Sequence, residues 1–130
     1  MQSQSNAPLK TILLLDSATC LLMSALLIAG AGFVSGITAL PETLLFYAGV
    51  LLAPIGLFMA ATALLWLGSA AAVWLIIVGN GGWVIASLVL LVTVVPNGLG
   101  VAFVLAQALV VAVLARIEHR ALHMSNAAVA

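Results

Sequence analysis

The feature that most constrains this chain is the apolar stretch from Thr11 to Ala115, in which Asp16 and Glu42 are the only formal charges. A water-soluble domain of this size must cover its surface with polar groups, and such domains are about one quarter charged. Here 66% of the 130 residues are hydrophobic and only 5% are charged. The sequence therefore predicts an integral membrane protein.

The length of this stretch sets the number of helices. A spanning helix needs roughly 20 apolar residues, or about 25 when it is tilted, so four helices with short turns fill the stretch. Pro41 and Pro96 suit the first positions of helices, Gly68 suits a helix end and Ser69 suits a cap. We expect helices at about 11–34, 43–67, 70–94 and 97–115. The predicted fold is all-α, with four transmembrane helices in an antiparallel up-down bundle of two hairpins.

The basic residues indicate an orientation. Lys10, Arg116 and Arg120 flank the spans at the two termini, and the turns around Pro41 and Pro96 contain no Lys or Arg. Because cytoplasmic flanks are rich in basic residues, we expect both termini in the cytoplasm of a bacterium, with a multi-pass domain in its inner (plasma) membrane. The predicted organisation is a tail at 1–10, a transmembrane domain at 11–116 and a tail at 117–130.

The candidate site residues are polar side chains in or beside the spans: Asp16, Thr62, Asn80, Gln107 and Arg116. At 1.5 Å per residue, Asp16 and Thr62 should lie roughly 7 to 8 Å inside the cytoplasmic helix ends, and Asn80 and Gln107 about 15 Å inside. Asp16 should face inward, since an acid facing lipid costs on the order of 3 kcal/mol or more. Its expected charge partner is Arg116.

Two roles are open for Asp16. It can join helices 1 and 4 through an ion pair or hydrogen bond, with Lys10 as the alternative partner, or it can be a protonatable transport group. Asn80 and Gln107 are expected to form interhelical hydrogen bonds of about 0.6 kcal/mol each. A donor from either one could satisfy the Val50 carbonyl that the ring of Pro54 frees.

Small residues predict close helix packing. "GNGGW" around Asn80 is interpreted in this way, because it lacks the strand and helix context of a phosphate loop. The small-xxx-small pairs point to tight packing as well: Ala25 and Ala29, Gly32 and Gly36, Gly49 and Ala53, Gly56 and Ala60, Ala102 and Ala106.

Several function classes are unfavoured. Cys20 is the only cysteine, which excludes an internal disulfide and a thiolate metal cluster. His119 and His123 have a spacing that suits a metal, but with Glu118 they form an incomplete, exposed set. No nucleophile, base and orienting group can be assembled, so we expect neither an enzyme nor a cofactor or metal. A net charge of zero argues against nucleic acid as a partner.

The combination of "LLLDSATC", "GNGGWV" and "PNGLG" followed by "AFVLAQA" resembles small uncharacterised four-helix inner-membrane proteins of bacteria. The resemblance covers nearly the whole chain and implies no activity. Small multidrug resistance transporters are similar in size and helix count, and they also carry one acid in helix 1. This sequence differs in having an aspartate near the cytoplasmic end, not a glutamate near the middle.

Two functional expectations follow. The first is a small non-enzymatic membrane protein in the lipid bilayer, which packs with copies of itself as a homo-oligomer or joins a larger membrane complex. The alternative is a proton-coupled transporter of a small hydrophobic or cationic solute, with Asp16 as the coupling acid.

Overall fold

The computed structural model describes the backbone from Gln2 to Val129 and the side chains of residues 7–124. Within this range the chain forms four helices, α1 (Gln2–Thr38), α2 (Glu42–Leu65), α3 (Ala70–Thr93) and α4 (Gly98–Val129). All four are long and apolar enough to cross a membrane. The prediction of an all-α chain with four candidate membrane spans is confirmed.

The helix bounds agree with the sequence for α2 and α3 and differ for α1 and α4. α1 begins before the predicted residue 11, and α4 continues past residue 115 through most of the predicted C-terminal tail. The segment from Arg116 to Met124 contains good helix formers and neither Gly nor Pro, so nothing in it ends the helix. Its charged residues mark a change in polarity but not the end of a helix.

α1 and α2 pack closely through small residues at matched spacing. The Ser17 hydroxyl donates to the Gly56 carbonyl at 2.8 Å, and the Ser24 hydroxyl donates to the Gly49 carbonyl at 2.6 Å. A Cβ atom placed on Gly49 would lie 2.8 Å from the Cβ atom of Leu27, which is closer than side chains pack. Glycine at this position therefore allows the two backbones to approach.

The glycines of "GNGGW" behave differently, and the expectation that they mediate close packing is wrong. A Cβ atom on Gly79, Gly81 or Gly82 would meet nothing within 4 Å. Close approach depends instead on Gly49 and Gly56, which belong to two of the predicted small-residue pairs.

The four helices are not packed equally on all sides. α1 packs along both α2 and α4, and α3 packs along α4, whereas α2 and α3 barely contact each other. Buried side chains form two apolar clusters. One surrounds Leu13, Met59 and Val73, and the other surrounds Leu27, Leu40 and Val104. The side between α2 and α3 is the least closed part of the molecule.

Short turns connect the helices. Ser69 caps α3 by accepting a hydrogen bond from the backbone N–H of Ala72 at 3.2 Å, as predicted. At the start of α4, the Asn97 side chain accepts from the Gly100 N–H at 2.8 Å, and its backbone N–H donates to the Thr38 carbonyl at 3.2 Å. Asn97 therefore ties the end of α1 to the start of α4.

Candidate functional site

A buried cluster of three polar side chains joins α1, α3 and α4. Asn80 Nδ2 donates to Asp16 Oδ2 at 2.7 Å and to Glu118 Oε1 at 2.9 Å. The exposed fractions are 2% for Asp16, 6% for Asn80 and 0% for Glu118. Two acidic side chains are thus neighbours bound to a single amide nitrogen.

Helical periodicity brings the three residues together. Each one continues the buried face of its helix at spacings of three and four, which place side chains on one side. These faces comprise Leu9, Leu13 and Asp16 on α1; Val73, Ile76 and Asn80 on α3; and Glu118, Ala121 and Leu122 on α4. The same contacts that bury the apolar side chains bury the acids.

The cluster has fewer donors than its oxygen atoms require. An amide group has two N–H donors, and Asn80 directs one to each acid. Glu118 Oε2 is buried and has no hydrogen-bond partner among the described residues. Because a buried charge without a partner is costly, the pair needs an additional proton or cation to be fully compensated.

The expected ion pair is replaced by this amide bridge. Arg116 and Lys10, the expected partner and its alternative, are both exposed, and the donor that reaches Asp16 belongs to Asn80. The longer α1 explains the difference in depth. Because the helix begins well before residue 11, Asp16 lies further inside it than expected, and it contacts Asn80 directly.

Thr62 and Gln107 lie outside the acid cluster. The buried Thr62 hydroxyl donates to the Phe58 carbonyl of its own helix at 2.9 Å. Gln107 Oε1 accepts from Trp83 Nε1 at 2.7 Å, and Gln107 Nε2 donates to Ser87 Oγ at 2.9 Å. Gln107 forms the interhelical hydrogen bonds that the sequence predicted, but in a network separate from that of Asn80.

The amide donors of Asn80 and Gln107 are used within these two networks. Asn80 donates to the two acids, and Gln107 donates to Ser87 and to the Val104 carbonyl at 3.0 Å. The bonds found for these two side chains do not reach the Val50 carbonyl. The structure therefore differs from the expectation that one of them satisfies it.

Glu118 is the site residue that the sequence analysis missed, because it was assigned to a charged flank. A signal for it was present in the pattern of α4. Val104, Ala108, Glu118 and Leu122 are all buried and fit one face with a period of three to four residues. Extending this face beyond residue 115, where the predicted fourth helix ends, would have placed Glu118 inside the bundle.

A cavity of about 550 Å³ lies beside the acid cluster. All four helices contribute to its wall, which includes Asp16 and Asn80, whereas the fully buried Glu118 does not line it. The side of α2 that lines it is apolar, with Ile55 and Phe58 among its residues. The cavity is partly open, so an acid that is buried from bulk solvent faces a space able to hold a small molecule.

Comparisons with protein-family models, curated proteins and solved structures found no match for this chain.

The histidines of α4 form an aromatic contact. The rings of His119 and His123 meet edge to face with centroids 4.6 Å apart, and His119 also contacts Trp74 at 5.3 Å. Within residues 7–124, no group of three or more His, Cys, Asp or Glu side chains is arranged to hold a metal ion.

Proposed function

We propose that this protein exchanges a proton for a small cationic or hydrophobic solute within a membrane. The observation that carries the proposal is the pair of acids, Asp16 and Glu118, bound to one amide beside a cavity among four apolar helices. Acidic residues at this depth in an apolar domain are costly, and their usual roles are in proton or cation pathways.

Charge compensation supports a proton as one ligand of the pair. Two adjacent negative charges in an apolar setting repel each other, whereas a pair that shares one proton carries a single charge and gains a donor. A cation entering the cavity would supply the same compensation. One ligand therefore competes with the other, which is the basis of exchange.

The positions of the acids support different roles. Asp16 lines the cavity and is the proposed contact for the cation, whereas the fully buried Glu118 is the proposed proton store. Asn80 touches both acids and is the proposed positioning residue. The Cys20 thiol on α1 also lies near the pair, and the residues of α2 that line the cavity are apolar.

The proposed setting is the inner membrane of a bacterium. We propose an antiparallel up-down bundle of two hairpins with both termini in the cytoplasm, because Lys10, Arg116 and Arg120 flank the outermost spans. The turns around Pro41 and Pro96 would then face the exterior. The proposal includes no catalysed reaction and no cofactor.

Uptake into proteoliposomes tests the proposal. With labelled hexyltrimethylammonium as the probe, an imposed pH gradient should drive uptake, and Asp16→Asn should abolish this dependence on the gradient. Ser17→Ala is a matched control, since Ser17 is adjacent but directs its hydroxyl to α2. Proton-driven uptake that persists in Asp16→Asn would overturn the role of Asp16.

An accessory role in a membrane complex is the second candidate, in which the protein packs with copies of itself or with larger partners. It is favoured by the weak contact between α2 and α3, which leaves a side that another helix could cover. Extraction with a mild detergent, followed by identification of co-purifying proteins, tests it. A monomer in native-like lipid with no co-purifying protein would count against this role.

A further inference from the structure

A second cavity, of about 350 Å³, adjoins the first. Both cavities are lined by Met23, Trp83 and Gln107, so these three residues mark the junction between them. We call the cavity beside Asp16 the acid cavity and the second one the apolar cavity. The two cavities therefore lie next to each other along the least closed side of the bundle.

The two cavities differ in chemistry. The acid cavity has Asp16 and Asn80 in its wall, whereas the wall of the apolar cavity has no charged residue. Aliphatic and aromatic residues predominate in the apolar cavity, among them Leu27, Leu40, Leu45, Leu51, Leu90 and Phe103. A ligand that matches both cavities has a cationic end and an apolar end.

Hydrogen bonds fix the wall at the junction. Gln107 accepts from the Trp83 indole N–H at 2.7 Å and donates to Ser87 Oγ at 2.9 Å. These bonds satisfy the polar atoms of Trp83 and Gln107 within the protein. The flat face of the indole can then border an apolar chain without leaving its N–H unpaired.

We infer that the two cavities form one site for an amphiphilic cation with a linear apolar chain. The charged head group lies beside Asp16 in the acid cavity, and the chain passes Trp83 into the apolar cavity. This inference rests on the proposed function for the counter-charge of the head group, and it adds the substrate class. An ordinary membrane phospholipid fits less well, because its phosphate would be repelled by the acids.

Chain length is the property that tests the inference. Each methylene moved from water to an apolar site contributes about 0.8 kcal/mol, or roughly a fourfold change in affinity. Longer chains also partition more strongly into lipid, which raises apparent affinity without any specific site. The comparison must therefore be made between variants at the same chain length.

The measurement is equilibrium binding to the full chain in nanodiscs. Each variant is compared with the unsubstituted protein for ethyltrimethylammonium and for octyltrimethylammonium. Ala48→Phe narrows the apolar cavity from α2, and Ala86→Phe narrows it from α3. Ala106→Phe adds the same side chain at an exposed position of α4 outside the lining of both cavities. Asp16→Asn removes the counter-charge.

The two narrowing variants should weaken octyl binding about tenfold or more, as expected when two or more methylenes lose their site, and change ethyl binding less than about twofold. Retained ethyl binding also shows that the variant is folded. If Ala48→Phe does not fold, Ala86→Phe decides the result. Equal effects on both ligands, or no loss of octyl binding relative to Ala106→Phe, would overturn the inference.

The outcome for Asp16→Asn separates this inference from the proposed function. If it abolishes binding of both cations while the narrowing variants have no selective effect, Asp16 is the counter-charge of the head group, but the apolar cavity does not bind the chain. If it leaves both affinities unchanged, Asp16 is not the counter-charge and the proposed function is refuted, whatever the dependence on chain length.

Discussion

α2 has two sides that are built in opposite ways. Towards α1 it presents Gly49 and Gly56, whose backbones approach the partner helix so closely that a Cβ atom would lie 2.8 Å from a neighbour. Towards α3 it presents larger side chains, including Ile55 and Phe58, which line a cavity. Small residues close one side, and large residues border a gap on the other.

The polar groups follow the same division. On the closed side, Ser17 and Ser24 donate to backbone carbonyls, and their donors are satisfied. Beside the cavity, the two acids share one amide and Glu118 Oε2 has no partner among the described residues. The closed side thus has its hydroxyl donors satisfied, whereas the open side holds two acids that the described residues do not fully compensate, as the proposed exchange requires.

The largest expected effect comes from disrupting the close packing of α2 against α1 on the closed side. Gly49→Val should lower the free energy of unfolding by about 3 kcal/mol, because the new side chain would overlap Leu27 and the backbone of Ile28. Gly79→Val is the matched control, since a Cβ atom there meets nothing within 4 Å. The control should change stability by less than about 0.5 kcal/mol.

Unfolding by titration with a denaturing detergent in bicelles measures both variants. Gly79 lines the acid cavity, so its variant should also weaken cation binding while the protein stays folded. Similar stabilities for the two valine variants would contradict the difference between the two sides of α2.

Removal of the shared amide should have the next largest effect. Asn80→Leu leaves Asp16 and Glu118 without their donor and should cost about 2 kcal/mol in the same unfolding assay. The triple variant with leucine at positions 16, 80 and 118 should recover most of that loss, because no uncompensated charge remains. No recovery in the triple variant would mean that the loss comes from packing and not from charge.

The smallest expected effect concerns the hydroxyl groups of the closed side. Ser17→Ala and Ser24→Ala should each cost about 0.6 kcal/mol, as is typical of hydrogen bonds between membrane helices. Thr93→Ala is the control, since the Thr93 hydroxyl is exposed and bonds only to carbonyls of its own helix. If either serine variant lowered the free energy of unfolding as much as Gly49→Val does, hydrogen bonds and not close backbone approach would stabilise the closed side.

The sequence predicted the helices well and the site only in part. Apolar length and turn residues located all four helices, and Ser69 was identified as a cap, because these features depend on local chemistry. The charged residues gave a wrong boundary at the end of α4, where Arg116 was taken as the edge of the span and Glu118 as part of a tail. The first charged residue after the apolar run marked the predicted membrane edge. The residues that follow it are good helix formers, so α4 continues beyond that edge.

The partners of Asp16 could be identified only from the three-dimensional structure. An acid inside an apolar run predicts that some compensating group exists, and the nearest available charge was Arg116. The register between helices decides which group reaches it, and that register is set by the packing of α4 against both α1 and α3. The sequence of α3 alone does not show that Asn80 lies opposite both acids.

The central claim is that one proton and one cation compete for the pair formed by Asp16 and Glu118. Proton release on addition of octyltrimethylammonium to the purified protein, in weakly buffered nanodiscs with a pH-indicator dye, tests it most directly. The account predicts about one proton released per cation bound at pH values where the free pair holds its proton, and none from a variant that combines Asp16→Asn with Glu118→Gln. Saturable binding with no proton release at any pH from mildly acidic to mildly alkaline would contradict it.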